Sequence, residues 1–178
     1  MNNDDISLIK AVIDNHDRQA FGLLVNRYQS PIRRFFLAQT MGDGPLSDDL
    51  AQDTFIKAYT HLHQFQGTAS FSTWLYRIAY NVYYDHTRRH RQTEDVESST
   101  EAQRRSSATD DGLRIDLYKA LQILSQNERT CITLQLIDGY KVEQIAAITA
   151  MAEGTVKSHL SRGKAKLATY LKENGYGK

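Results

Sequence analysis

Between Gln92 and Gly112 the chain reads QTEDVESSTEAQRRSSATDDG, a run of polar and charged residues in which Val96 is the only large apolar one. Such a segment buries too little surface to offset the entropy of ordering it, so 92–112 is expected to be a flexible linker. It leaves two stretches, 1–91 and 113–178, each long enough for a small domain. Large apolar residues recur at helical spacing in both, with only two prolines among 178 residues and no convincing strand alternation. The fold expected is therefore all-α, two small helical domains joined by a linker.

In the first stretch, Ile6, Ile9 and Ile13 predict a short helix, and Phe21, Leu24, Val25, Tyr28, Ile32, Phe35 and Phe36 predict a longer one kinked at Pro31. A turn at Gly42-Asp43-Gly44-Pro45 follows. Ser47 is the expected N-cap of the next helix, with Asp48 and Asp49 in its positive first turn and Ala51, Phe55, Ala58, Tyr59 and Leu62 buried. After a loop from His63 to Ser70, a last helix buries Phe71, Trp74, Leu75, Ile78 and Val82. In the second stretch, Leu113, Ile115, Leu117, Leu121 and Leu124 predict a helix, and Ser125-x-x-Glu128 a capping box that starts another. That helix is expected to end at Asp138-Gly139.

The strongest local pattern lies in KVEQIAAITAMAEGTVKSHLSRGKAKL, from Lys141 onward. Val142, Ile145, Ala146 and Ile148 form the inner face of one helix; a break spans Thr149 to Ala152, and a second helix follows. At 100° per residue Val156, Leu160, Gly163 and Leu167 share one stripe of it, while Gly154, Ser158, Ser161, Arg162 and Ala165 face away and Lys157 lies on a flank. This is a helix-turn-helix whose second helix suits a major groove. Small residues allow close approach, Lys157 and Arg162 reach guanine edges or phosphates, and Thr155 near the N-terminus suits phosphate capture. A solvated basic face is the plainer alternative.

Charge is segregated rather than large. The net charge is +1, but Lys157 to Lys172 holds five cations and no acid, and Arg88, Arg89 and Arg91 form a second basic stretch. On the helix from Phe71 the face expected to point away from the core carries Thr73, Tyr76, Arg77, Tyr80 and Tyr84. Tyrosines beside arginines suit the stacked bases of single-stranded DNA, and the small polar loop Phe65 to Ser70 could cup an extruded base. Tyrosines packed on a neighbouring helix with wet hydroxyls would give the same pattern.

Other chemistry finds little support. Asp48, Asp49 and Asp53 have a sufficient dipole explanation, and His61 and His63 lack partner ligands at zinc spacing. No phosphate loop, nucleophile elbow or metalloprotease string occurs, so no catalytic residue, cofactor or metal is expected. Cys131, the single cysteine, sits in an apolar pattern and reads as a buried thiol. The acidic start lacks a secretory signal and no apolar run nears the roughly 20 residues of a membrane span, so a cytoplasmic location without membrane insertion is expected.

The strings D-x-x-Q-D-x-F-I-K-A-Y, from Asp49, and F-x-T-W-L-Y-R-I-A-x-N-x-x-x-D, from Phe71, together with I-A-x-I and G-T-V-K-S in the second half, resemble the extracytoplasmic-function (ECF) sigma factors of the sigma-70 superfamily. The resemblance covers nearly the whole chain and implies a transcription initiation factor rather than an enzyme, with 1–91 as sigma region 2 and 113–178 as region 4. It implies core RNA polymerase binding through Asp49, Gln52, Asp53 and Phe55. It implies capture of the melted non-template minus-10 strand by Gly67, Thr68, Ala69, Ser70, Tyr76, Arg77, Tyr80, Asn81 and Arg88. It implies reading of the minus-35 duplex by Thr155, Lys157, Ser158, Ser161 and Arg162, and control by an anti-sigma factor. The chain departs from the family where Ser125-Gln126 and Ala152 replace frequent prolines and His159 a frequent arginine. Without the resemblance, a duplex-binding regulator whose first half is a sensor or dimerisation domain, or an enzyme built on the aspartate-histidine cluster, would be the rival readings.

Overall fold

The computed structural model describes the backbone of residues 3–94 and 111–176 and the side chains of residues 4–90 and 116–176. Every element among the described residues is helical: α1 (Asn3–Asn15), α2 (Arg18–Gln39), α3 (Gly44–His61), a single 3-10 turn (Leu62–Gln64), α4 (Phe71–Glu94), α5 (Asp111–Gln122), α6 (Gln126–Ile132), α7 (Val142–Thr149) and α8 (Glu153–Glu173). The expected all-α class is what the chain adopts. Residues 92–94 and 111–112, read as linker, are helical, and the rest of that linker lies outside the described residues. So do the side chains of Leu113 and Ile115.

The described residues divide into two compact units. One is drawn from Met1–Phe36 and Asp48–Glu101, the other from Leu37–Ser47 and Ala102–Lys178. The first unit is built on α2, continuous through Pro31 and capped by Asp17, whose Oδ1 accepts from the Gln19 and Ala20 amides at 2.8 and 3.1 Å. Leu24, Ile32, Phe35 and Phe36 of α2 are buried with Ile9 and Val12 of α1, Ala51 and Ala58 of α3, and Phe71, Leu75, Ala79 and Val82 of α4. Aromatic edges lock the packing: Tyr28 meets Phe71 at 5.4 Å between centroids and Phe35 meets Tyr76 at 5.6 Å. Asp5, buried on α1, accepts from Arg27 and, at 2.6 Å, from Tyr28 Oη, which ties α1 to α2.

α3 begins earlier than expected. Asp43, not Ser47, caps it: Asp43 Oδ1 accepts from Leu46 N–H at 3.0 Å, and Ser47 is buried in the first turn, donating to the Asp43 carbonyl at 2.6 Å. Pro45 made the turn look like a helix stop. It is instead tolerated inside the first helical turn, where amide hydrogens have no intrahelical partner.

In the second unit α8 packs on α5, α6 and α7. The Ser125–Glu128 capping box forms as expected, with Glu128 Oε2 accepting from Ser125 N–H at 2.9 Å. Beyond Ile132 the backbone widens into a π turn, Thr133–Ile137, and Gly139 at φ +76° then reverses the chain toward α7. Cys131 is buried, and burial pushes its thiol up to about 11, so it stays protonated and unreactive near neutral pH.

Candidate nucleic-acid interface

The helix-turn-helix is α7, the turn Ala150–Ala152 and α8. Ile145 and Ile148 of α7 are buried against Val156 and Leu160 of α8, which carries the apolar stripe read from the sequence. The turn is closed by Ala150 in the left-handed conformation (φ 57°, ψ 21°), with Thr149 Oγ1 donating to the Ile145 carbonyl at 2.8 Å. Gly163 lets α8 approach α6 closely. A Cβ there would lie 2.8 Å from Ile132 Cγ1, inside any normal contact.

On the opposite side of α8, Gly154, Thr155, Lys157, Ser158, Ser161, Arg162 and Ala165 are all exposed, the arrangement expected for a helix that enters a groove. Ala152, the N-cap residue, supplies no side-chain hydrogen bond to the α8 N-terminus. Ser158 Oγ donates to the Gly154 carbonyl at 2.9 Å, and Lys157 stands 3.8 Å from Glu153 in an exposed pair of little strength. Arg162 is more constrained. Its Nε is 3.7 Å from Glu128 Oε1 and one Nη is 3.2 Å from His159 Nδ1. Burial, then the Arg162 charge, hold His159 below its ordinary value against the opposing pull of Glu128. Glu128 was legible only as a helix cap; its reach to α8, 38 residues away at Lys166, has no local sequence signal.

In the first unit, Ser70 caps α4 by accepting from Thr73 N–H at 3.2 Å. The loop before it is pinned by Phe65, whose ring meets Trp74 at 5.5 Å and Phe71 at 5.8 Å. Gly67 turns the chain at φ +70° with nothing near the place of a Cβ; Thr68 is exposed, and Gly67, Ala69 and Ser70 are half-buried. The outward face of α4 needs correction. Thr73, Tyr76 and Tyr80 point inward, Tyr76 being 2% and Tyr80 9% exposed. α4 is covered over a wider arc than one apolar stripe, so its tyrosines complete the core. The exposed stripe is instead Arg77, Asn81, Tyr84 and Arg88, spaced i, i+4, i+7 and i+11.

The docking residues expected on α3 fall in two groups. Gln52 and Phe55 line a groove of about 650 Å³ between α2 and α3, with Phe21, Val25, Ala51, Ile56 and Tyr59 beside them and the Arg33–Asp48 ion pair at its wall. Asp49 and Asp53 are exposed and do not line it. The groove residues of α2 escaped the sequence reading because their spacing is that of an ordinary buried face. Among the described residues no cluster of three or more His, Cys, Asp or Glu could hold a metal ion, and no helix is long and apolar enough to cross a membrane.

The chain is similar in sequence and in fold to known proteins. A family model described as Sigma-70 region 2 matches residues 24–93, and one described as Sigma-70, region 4 matches residues 114–167. The RNA polymerase sigma-H factor of Pseudomonas aeruginosa is 32% identical, over 85% of this chain and 86% of its own length. The ECF RNA polymerase sigma-E factor of Escherichia coli is 34% identical with the same coverage. Among solved structures, the sigma factor RpoE of Bartonella quintana, in complex with the anti-sigma factor NepR, superposes with a TM-score of 0.74 at 29% identity, covering 85% of this chain and 96% of that one. CnrH, in complex with the cytosolic domain of CnrY, gives 0.71 at 26% identity, covering 96% of this chain and 99% of that one.

Proposed function

This chain belongs to the ECF-type sigma factors of the sigma-70 family, and from that premise we propose that it docks on core RNA polymerase, reads promoter duplex with α8 and holds melted DNA against α4. The observation that carries the reading is the outer face of α8, where small residues and two cations are presented by a helix whose inner face is locked on α6 and α7. Thr155, Lys157, Ser158, Ser161 and Arg162 read the minus-35 element. Gly67 to Ser70 with Arg77, Asn81 and Arg88 hold the non-template strand of the minus-10 element, while Tyr76 and Tyr80 keep α4 in place. Energy gained on extruded bases offsets a few kcal/mol of unstacking.

The α2–α3 groove, with Gln52 and Phe55 in its lining and Asp49 and Asp53 on the same helix, is the polymerase-docking surface. The functional division runs 1–91 for polymerase and minus-10 contact, 92–112 as linker and 113–178 for minus-35 contact. The chain performs no catalysis, works in the cytoplasm where polymerase and promoter are, and is restrained by an anti-sigma protein, a reading supported by the solved complex of RpoE with the anti-sigma factor NepR and that of CnrH with the cytosolic domain of CnrY.

The test adds the purified chain to core polymerase and maps single-stranded thymines on candidate promoters. Opening that requires both proteins supports the reading. A footprint of the chain alone on duplex, without opening in the presence of polymerase, would favour a conventional duplex-binding regulator.

A further inference from the structure

The carboxylate of Glu128 joins the cap of α6 to two cations on α8. Oε2 accepts from Ser125 N–H at 2.9 Å and from Lys166 Nζ at 2.7 Å, and Oε1 faces Arg162 Nε at 3.7 Å. The Glu128 side chain is 4% exposed, whereas those of Lys166 and Arg162 are 46% and 59% exposed. Its Cβ lies 3.6 Å from where a Cβ of Gly163 would be, so the acid sits beneath the turn from which Arg162 and Lys166 emerge. An arginine offers five N–H donors in a fixed fork. Here the Nε side faces Glu128 and one Nη faces His159, which leaves the remainder of the fork for an incoming acceptor.

We propose that Glu128 is a positioning residue for duplex recognition: it fixes the aim of Arg162 and withholds the charge of Arg162 and Lys166 from DNA phosphates. This rests on the reading of α8 as the duplex-reading helix. A flexible arginine satisfies itself on any phosphate, and phosphate contacts add affinity on every sequence. A guanidinium whose Nε faces a buried carboxylate and one of whose Nη atoms faces His159 has fewer such choices, so its remaining donors favour the base edge that matches them. A buried acid beneath the reading helix thus lowers binding to arbitrary DNA more than binding to the matching site.

The experiment assembles core polymerase with the full-length chain and measures binding, over a range of salt, to a promoter fragment it protects and to the same fragment with the upstream element scrambled. Glu128→Gln keeps the acceptor for Ser125 and removes the charge. It is expected to bind scrambled DNA several-fold more tightly, to steepen the log–log salt slope by about 1 for a cation released to a phosphate, and to narrow the ratio between matched and scrambled fragments. In an Arg162→Ala background the same change should shrink the steepening. Unchanged slope and ratio in E128Q, with R162A still weakening the matched fragment, overturns the role of Glu128 and leaves α8 as the reader. Should R162A leave both fragments unaffected, the reading of Arg162 and this inference fall together. A second readout needs no variant of Glu128: Nε–H of Arg162 in the free full chain should exchange with solvent more slowly than that of Arg77, and equal rates overturn the proposal.

Discussion

Lys166 Nζ lies 2.7 Å from Glu128 Oε2, joining the first turn of α6 to the exposed side of α8. The acid is buried and the amine is half in water, so the pair is neither a solvated surface bridge of negligible strength nor a fully desolvated one. It also completes the coordination of an oxygen that already caps a helix. One side chain therefore serves local structure, tertiary packing and the charge of the DNA-facing helix.

Acid should expose this arrangement in two steps. Burial alone pushes the Glu128 carboxyl up, but the hydrogen bond from Lys166 and those with Ser125 outweigh it and leave the group below its ordinary 4.5. Its contribution to stability is complete above about 4.5 and is lost as pH falls through the lower folded value. His159 is likewise held below its ordinary 6.5, by burial first and by Arg162 second. The fold favours its neutral ring, so stability present above about 6.5 is lost as pH falls through the folded value. Thermal unfolding of the second unit, followed by exchange of α6 and α8 amides, should decline in both windows. His159→Asn should flatten the upper decline and Glu128→Gln the lower one; a single decline insensitive to both variants would contradict the assignment.

Gly163 sets how closely α8 can lie on α6. Gly163→Ala should destabilise the second unit by about 1–3 kcal/mol, the usual effect of overpacking, because the new methyl would sit 2.8 Å from Ile132 Cγ1 and 3.2 Å from Cδ1. Chemical denaturation checks the sign. Combining it with Ile132→Ala should give less than the sum of the two single losses, since the contact is shared. Simple additivity would mean that the clash is relieved elsewhere.

The two faces of α8 were legible in the sequence because Val156, Leu160 and Gly163 obey one helical period and the opposite residues are small or charged. The Ser125–Glu128 cap was legible because both partners lie within one turn. What stayed hidden depended on neighbours. Tyr76 and Tyr80 have the spacing of an outer face, and periodicity does not tell how wide an arc of a helix is covered. Asp43 and Ser47 are both good caps by type, and the choice depended on Pro45 lying inside the helix. The partners of Glu128 and the walls of the α2–α3 groove are tertiary, joining residues far apart in the chain.

Ala150 is a non-glycine residue at φ 57° in the turn between α7 and α8. The left-handed conformation costs an L-residue about 1–2 kcal/mol, and Ala150 is exposed, so its methyl contributes no packing in return. Ala150→Gly removes the steric cost while adding freedom to the unfolded chain, for a net gain of roughly 0.5–1 kcal/mol. A raised unfolding midpoint of the second unit, with duplex binding unchanged, is the expected result. A lowered midpoint would show that the turn depends on the alanine.

Tyr76 and Arg77 are adjacent on α4, the first buried and the second exposed, which separates stability from DNA contact within two residues. Tyr76 is buried with its ring on Phe35, so Tyr76→Ala should cost about 3–5 kcal/mol, the range for deleting a large buried aromatic side chain. Trp74, in the same unit, reports that loss through its fluorescence during urea unfolding. Arg77 is exposed, and Arg77→Ala should change stability by no more than about 0.5 kcal/mol while reducing the reactivity of melted thymines on a promoter bound by the polymerase complex. If Tyr76→Ala instead left the unfolding curve in place and abolished opening, the tyrosine would be a stacking surface and the inward packing of α4 would not describe the working protein. Both variants are read in the same two assays, so a structural defect cannot pass for a lost DNA contact.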